Sequence, residues 1–248
     1  MWLIIGVSGA TCSGKSSLAH SLEQSLPGSI LICQDDFFLP EDDKRHIIIP
    51  TLRHNNWEIM SSLDMDKMHD RVNDIISDKS YKTISLETLK KIAADITNIP
   101  EGIAKRNGNY EESSAVAVTD KTVKMNGDCC GTRNKEDTTP GVKILIIEGF
   151  LIFNDKILAD LCEMKYFLTL DRHECWARRS ARTYNPPDVP GYFDLCVWPE
   201  YVKHRDQVFE EVHNIDIIDG TKSRSIILNH VLKHIVKKAE EIIEKHHK

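Results

Sequence analysis

No apolar run in these 248 residues approaches the ~20 consecutive positions a membrane span needs; stretches such as WLIIGV and ILII are far shorter. Paired cysteines are lacking as well. The seven cysteines are an odd number with no CxxC pair, which argues against a disulfide framework or a zinc ribbon and points to a reducing cytoplasm. Basic charge is in deficit. Against 38 Asp and Glu stand 32 Lys and Arg, a formal net charge of -6, so a polyanion such as nucleic acid is not expected as the main ligand. Local basic clusters can still bind a small phosphate. No internal repeat is visible, and no signal peptide is expected, because the N-terminus opens a strand that feeds straight into a glycine-rich loop. What is present is ordinary for a soluble globular chain: 41% hydrophobic and 28% charged residues, in a length that suits one large domain.

Continuous apolar runs at residues 2–7, 30–33, 143–149 and 165–170, with IDII at 215–218, read as five strands buried on both faces. Helical spacing falls between them. One helix is expected over 15–26, ended by Pro27-Gly28, and a second after Ser61, with apolar positions at 65, 68, 72, 75 and 76. HECWARRSART forms a helix ending before Pro186-Pro187, and residues 225–244 form a closing amphipathic helix. Strand–helix alternation predicts a single α/β domain with a five-stranded parallel sheet and helices on both faces. One segment, about 80–141, breaks the pattern. Its first part, LETLKKIAADI, offers a further helix, while its second half is polar, turn-rich and without period, as in a disordered surface insertion in which Cys129-Cys130 lies exposed.

GATCSGKSS, comprising Gly9, Ala10, Thr11, Cys12, Ser13, Gly14, Lys15, Ser16 and Ser17, fits G-x-x-x-x-G-K-[ST] between the first strand and the first helix. Each residue type has a physical reason. Glycines let backbone N–H groups curl around phosphate oxygens, the helix N-terminus adds its dipole, the lysine reaches the outer phosphates, and the Ser16 hydroxyl suits Mg²⁺. The chain is therefore expected to bind a nucleoside triphosphate with Mg²⁺, in a P-loop NTPase fold.

A GTPase would add NKxD and DxxG motifs, and neither stands in a suitable place. ILIIEG resembles a Walker-B strand but ends in Glu148 rather than aspartate. A small-molecule kinase needs an acid facing the acceptor hydroxyl, a basic lid and an acceptor pocket. QDDFF supplies adjacent acids, Asp35 and Asp36, whose type alone fits a cap, a metal site or a base. The lid candidate is RRSARTYNPPDVPGYFD, where Arg178 and Arg182 stand four apart on one helix face and Arg179 points elsewhere. Its proline-rich end has the makings of a mobile loop. The pocket candidates are Asp35, Phe37, Phe38, Trp57, Glu58 and Tyr184.

Taken in order, GVSGATCSGKSSLA, QDDFF, NWE…SLDMDKM, ILIIEGFLIFN, RRSARTYNPPDVPGYFD, VWPEYVKHR and IIDGTKS resemble the nicotinamide riboside kinases, uridine-kinase-like P-loop kinases. The resemblance implies transfer of a phosphoryl group from ATP to the 5′-hydroxyl of nicotinamide riboside, and typically of nicotinic acid riboside, feeding NAD synthesis. It implies that Ser16 holds Mg²⁺ and that Asp35 lies near both metal and acceptor as the proton acceptor. Asp36, Phe37, Phe38, Trp57 and Glu58 then line the substrate side. Arg178, Arg182, Thr183 and Tyr184 belong to the lid over ATP, and Arg179 with Tyr184 and Asn185 faces the riboside. Lys222, Ser223 and Arg224 match a stretch near the ATP base, and Glu148 an acid near the metal's water shell. A cationic pyridinium ring suits two aromatic faces, Trp57 and Tyr184. Two positions depart from the pattern: Glu58 stands where aspartate is more common, and Leu39 replaces a lysine. The alternatives are a uridine or cytidine kinase, and a regulatory protein that binds ATP without turnover.

Overall fold

The computed structural model describes residues 1–97 and 140–246. In chain order these form β1 (Trp2–Gly9), α1 (Lys15–Ser25), β2 (Ile30–Cys33), β3 (Ile48–Ile49), β4 (His54–Asn55), α2 (Met65–Ser77), β5 (Ile84–Ser85) and α3 (Leu86–Thr97), then β6 (Gly141–Glu148), α4 (Lys156–Leu161), β7 (Met164–Thr169), α5 (Arg172–Ser180), α6 (Trp198–Glu211), β8 (Ile215–Asp219) and α7 (Arg224–His246). The main sheet runs β2-β6-β1-β7-β8, all parallel, with β1 paired to β6 and β7 on either side. Central β1 and β6 are almost wholly buried, which is why their sequences are continuous apolar runs rather than alternating ones.

The five expected parallel strands are therefore present, with one addition. Two residues of β5 pair antiparallel with the start of β6, Ile84 opposite Val142 and Ser85 opposite Gly141. A two-residue strand carries no readable period, so only the tertiary structure reveals it. β3 and β4 make a separate two-stranded ribbon.

Helices cover both faces. Leu18, Leu22 and Leu26 of the α1 region, Leu89 and Ala93 of α3, and Val231, Leu232 and Ile235 of α7 share one core with Ile5, Ile144 and Ile146. Met68, Val72 and Ile75 of α2, Leu158 of α4 and Val208 of α6 pack on the opposite face against Ile4, Leu145 and Ile147. Truncating a central side chain such as Leu22 to alanine costs roughly 2–5 kcal/mol on this packing. A third, smaller cluster lies under the phosphate loop, where Ala10, Leu170 and Cys175 meet Tyr192, Phe193, Cys196 and Val197.

Several boundaries differ from the expectations. α2 starts one turn later than Ser61, because Asp64 supplies the cap by accepting from the Lys67 N–H at 3.2 Å. α5 stops at Ser180 rather than running to the prolines, so the shared helix face expected of Arg178 and Arg182 does not exist; Arg182 follows the helix end. α6 was not foreseen. It is preceded by a π-helical turn over Phe193–Val197 and carries proline in its first turn, where the missing N–H costs nothing. The helix expected in LETLKKIAADI is α3. The disordered stretch expected in the second half of the insertion, with Cys129-Cys130, lies outside the described residues. Among the described residues no helix is long and apolar enough to cross a membrane.

Candidate active site

The phosphate loop leaves β1 at Gly9, whose φ is 132° and whose missing Cβ would lie 2.0 Å from the Leu168 carbonyl oxygen of β7. Any side chain there would collide with backbone, so glycine is required. The Ala10 N–H donates to that same carbonyl at 2.9 Å, which ties the loop to the C-terminal end of β7. Gly14, at φ 97°, turns the chain into α1. Lys15 Nζ donates to the Ala10 carbonyl at 2.9 Å across the loop. The Ser13 hydroxyl is buried with no hydrogen-bond partner among the described residues.

Two acids converge on the edge of the sheet that carries this loop. Glu148 closes β6, is only 3% exposed, and accepts from Ser16 Oγ at 3.2 Å. In register beside Glu148 stands Cys33, the last residue of β2; two residues on, Asp35 occupies a 3-10 turn over Gln34–Phe37. Gln34 fixes that turn. Its fully buried amide oxygen accepts from the Leu151 N–H at 2.9 Å, and a Cβ on Gly149 would lie 2.3 Å from its own Cβ. Burial, and then the charges of Glu148, Asp36 and Asp35, push the Cys33 thiol well above its usual range. Asp35 and Asp36 are exposed, whereas Phe37 turns down into the core beside Ile4, Ile32 and Met68. Phe37 thus supports the turn from beneath instead of lining a pocket.

Arg179 is the hub of the opposite wall. At 6% exposure its guanidinium donates to both Asp188 oxygens, at 2.7 and 2.9 Å, and to Thr11 Oγ1 of the phosphate loop at 3.1 Å. Its third neighbour is Glu58, at 3.4 Å. Burial works against the charge on Arg179, but the hydrogen bonds to Asp188 and the charge of Glu58 outweigh it and hold the guanidinium protonated. Burial raises the Glu58 carboxyl, opposed by the charge of Arg179. The Tyr184 ring lies 4.4 Å from the Arg179 guanidinium, and its hydroxyl is 3.4 Å from Cys12 Sγ. Burial pushes that phenol up to about 12 despite the opposing arginine. One face of Tyr184 is therefore taken by Arg179, so the expected Trp57–Tyr184 sandwich has only the other face to use.

Arg178 faces the other way. Held by Glu174 at 2.7 Å, it donates to the Cys12 carbonyl at 3.3 Å and the Gly220 carbonyl at 3.1 Å. It thereby joins the phosphate loop to the turn that carries Lys222, Ser223 and Arg224, where Ser223 Oγ accepts from the Ile226 N–H at 3.4 Å as α7 begins. Arg182, Thr183 and Asn185 are exposed in the segment after α5, with the Arg182 N–H bonded to the Arg179 carbonyl at 3.0 Å.

The remaining wall is aromatic. Trp57 meets Phe38 edge-on at 5.7 Å and His46 at 4.4 Å, and Phe38 stacks on Phe150 at 5.8 Å. The Trp57 N–H donates to the Tyr192 hydroxyl at 3.0 Å, and the Glu58 N–H to Asn56 Oδ1 at 3.0 Å. The Glu58 carbonyl can only accept, so the His204 Nε2 that lies 3.0 Å from it carries the proton. Leu39 is buried rather than at a rim. Sequence reasoning missed Asp188, Tyr192, His46, Asn56, His204 and Phe150. Asp188 had a signal: a buried arginine demands a carboxylate, and PPDVPGYFD holds acids within reach of Arg179.

The comparisons with known proteins agree with this geometry. The model of the phosphoribulokinase / uridine kinase family matches residues 4–186. Nicotinamide riboside kinase 1 of Mus musculus is 33% identical over 238 residues, covering 96% of each chain. Nicotinamide riboside kinase 2 of Homo sapiens is 33% identical over 237 residues, 95% of this chain and 81% of that protein. The uridine kinase of Saccharomyces cerevisiae is 27% identical over 255 residues, 96% of this chain but 42% of its own length. The chain belongs to the phosphoribulokinase / uridine kinase family and, within it, to the nicotinamide riboside kinases.

Proposed function

We propose that this protein transfers the terminal phosphoryl group of ATP to the 5′-hydroxyl of nicotinamide riboside, and also of nicotinic acid riboside, giving the mononucleotide that feeds NAD biosynthesis. The observation that carries the reading is Arg179, one buried cation that bonds the phosphate loop through Thr11 while lying 3.4 Å from Glu58 on the acceptor wall. Such a bridge suits a reaction in which donor phosphate and acceptor hydroxyl must be held in line, because phosphoryl transfer is mostly positioning and charge neutralisation. The names of the full-length relatives support the pyridine riboside as acceptor.

The Ser16 hydroxyl, buried Glu148 and nearby Asp35 form a hard, oxygen-only donor set of the kind Mg²⁺ prefers. Bound there, Mg²⁺ would neutralise charge on the phosphate oxygens. Ser16 would hold the ion with Asp35 near it, and Glu148 would assist from beside Ser16. Asp35 accepts the proton of the 5′-hydroxyl as that oxygen attacks the terminal phosphorus and the bond to the departing ADP oxygen breaks. Lys15 and Arg178, with Arg182 and Thr183 from the segment after α5, hold the phosphates. Lys222, Ser223 and Arg224 flank the base. On the acceptor side Asp36 and Glu58 take the ribose hydroxyls, with Arg179 and Asn185 beside them. The Trp57 ring and the outer face of Tyr184 attract the pyridinium charge by roughly 0.5–2 kcal/mol each, and Phe38 completes the wall.

Incubation of the protein with ATP, Mg²⁺ and a panel of ribosides tests this. Mononucleotide should form from nicotinamide and nicotinic acid ribosides faster than from uridine or cytidine. No product from either pyridine riboside would overturn the reading, and a clear pyrimidine preference would replace it.

A further inference from the structure

Far along the sheet from the phosphate loop, β8 and α7 bring three metal-ligating side chains together. Asp216 lies near the start of β8, and His230 and His234 stand one turn apart on α7, so both imidazoles leave the helix on the same face. His230 Nε2 is 2.6 Å from Asp216 Oδ2, His234 Nδ1 is 3.4 Å from the same oxygen, and the two rings are 4.2 Å apart. One ligand atom from each of the three can be chosen so that all lie within 4.8 Å of one another. We propose that Asp216, His230 and His234 form a second metal site, distinct from the catalytic magnesium centre, that takes a borderline-soft divalent ion of the Zn²⁺ type.

The distances suit that ion. Bonds of about 2.0–2.2 Å at tetrahedral angles place neighbouring ligand atoms roughly 3.3 Å apart. The His234–Asp216 separation already matches this spacing, and the shorter His230–Asp216 contact must open by under about 1 Å, within the range of a rotamer adjustment. All three side chains are between one third and one half exposed, so an ion can enter. A second observation points to a polar guest. Tyr166 is the cross-strand partner of Asp216, so both side chains leave the sheet on the face covered by α7, and the Tyr166 ring stacks on His234 at 6.4 Å. Its hydroxyl is buried and has no hydrogen-bond partner among the described residues, and Tyr166 is one of the residues that line a concavity with Asp216 and His234. A water filling the fourth position of a three-ligand ion is one group that would satisfy it. Lys165, Lys237 and Lys238 line the concavity along with Glu163 and Glu241, so the local field is mixed. Selection therefore rests on the imidazoles, which favour Zn²⁺ over Mg²⁺.

The test uses the untagged full-length chain, stripped with a chelator and then titrated with Zn²⁺ in saturating Mg²⁺, which keeps the oxygen-only catalytic site filled. One Zn²⁺ should bind per chain, raise the unfolding temperature, and be replaceable by Co²⁺ with a visible tetrahedral absorption band. The variant His230→Gln/His234→Gln should fold as the wild type does without metal, yet bind at least about tenfold more weakly and show neither the shift nor the band. Asp216→Asn should weaken binding while leaving both histidines in place. No saturable Zn²⁺ binding by the wild type, or equal binding by the histidine variant, overturns the proposal. None of these readouts depends on the phosphoryl-transfer reaction.

Discussion

Replacing Asp188 by asparagine isolates what the buried arginine needs. The substitution keeps the side-chain shape and one acceptor oxygen but removes the charge that now receives two bonds from Arg179. Breaking a buried ion pair from one side typically costs about 3–5 kcal/mol, since the abandoned charge stays desolvated. Here the loss is partly offset by Thr11 and by Glu58 at 3.4 Å, and by the residual amide oxygen, so about 2–3 kcal/mol is expected. For a chain of this length that lowers the unfolding midpoint by roughly 4–12 °C. The rate constant kcat/KM for the riboside should fall as well, because Arg179 no longer holds the loop and the acceptor wall in one geometry. A second variant separates the two effects. Arg179→Met/Asp188→Leu replaces the pair with apolar groups of similar volume and should recover part of the stability, the rest being withheld by Glu58 left without its cation, while staying catalytically poor. Calorimetry together with initial rates reads both. A single variant with wild-type midpoint and wild-type kcat/KM would refute the assigned role of the hub, as would a double variant of normal activity.

Three further outcomes follow from the same geometry. Asp35→Asn should bind ATP normally, by fluorescence or calorimetry, yet lose about 10²–10⁴-fold in kcat, the range of a general base; near-normal turnover would remove Asp35 from that role. Glu148→Gln should raise the Mg²⁺ concentration needed for half-maximal rate, because the buried acid beside Ser16 loses its charge; an unchanged Mg²⁺ dependence would count against it. Burial raises the Glu58 carboxyl, so its folded form binds the proton more tightly than its unfolded form does. Its stabilising contribution is thus full below the ordinary glutamate range and fades as pH rises through the raised value. Urea unfolding should then show the wild type losing ground to Glu58→Gln as pH rises above 4.5, and the opposite slope would contradict the burial argument.

What could be read in the sequence was what local pattern controls. β1 and β6 announce themselves because strands buried on both faces are built mostly from apolar residues, and the phosphate loop because its backbone demands glycine at fixed places. That Glu148 ends an apolar strand and Asp35 follows one was also legible, although their type alone left a cap, a metal site or a base open. The end of α5 was not legible. ARRSART has acceptable helix formers, and the helix stops where Arg179 turns to a carboxylate nine residues on; the acid is visible in PPDVPGYFD, but its effect on the helix end is not. Nor were His46, Phe150 and Tyr192, which reach Trp57 and Phe38 from separate loops and gain meaning only when those loops meet. The same blindness explains Phe37. QDDFF offers two identical rings, and only the 3-10 turn sends one into the core and leaves the other against Trp57.

Arg178 and Arg179, consecutive on α5, reach two different parts of the candidate site. Consecutive residues of a helix point about 100° apart, so one turn of α5 aims Arg178 at Cys12 and the Gly220 turn, and Arg179 at Thr11 and Glu58. One side is where the nucleotide base and phosphates are expected, the other where the riboside is. The rotation of α5 is set from beneath by Cys175, fully buried, whose Sγ donates to the Thr11 carbonyl at 3.3 Å. A helix packed this closely moves as a unit rather than residue by residue. If Arg178 serves the nucleotide and Arg179 the riboside, as proposed, a displacement of α5 that draws Arg178 from Cys12 also shifts Arg179 against Glu58, and the two affinities are expected to be coupled through this helix.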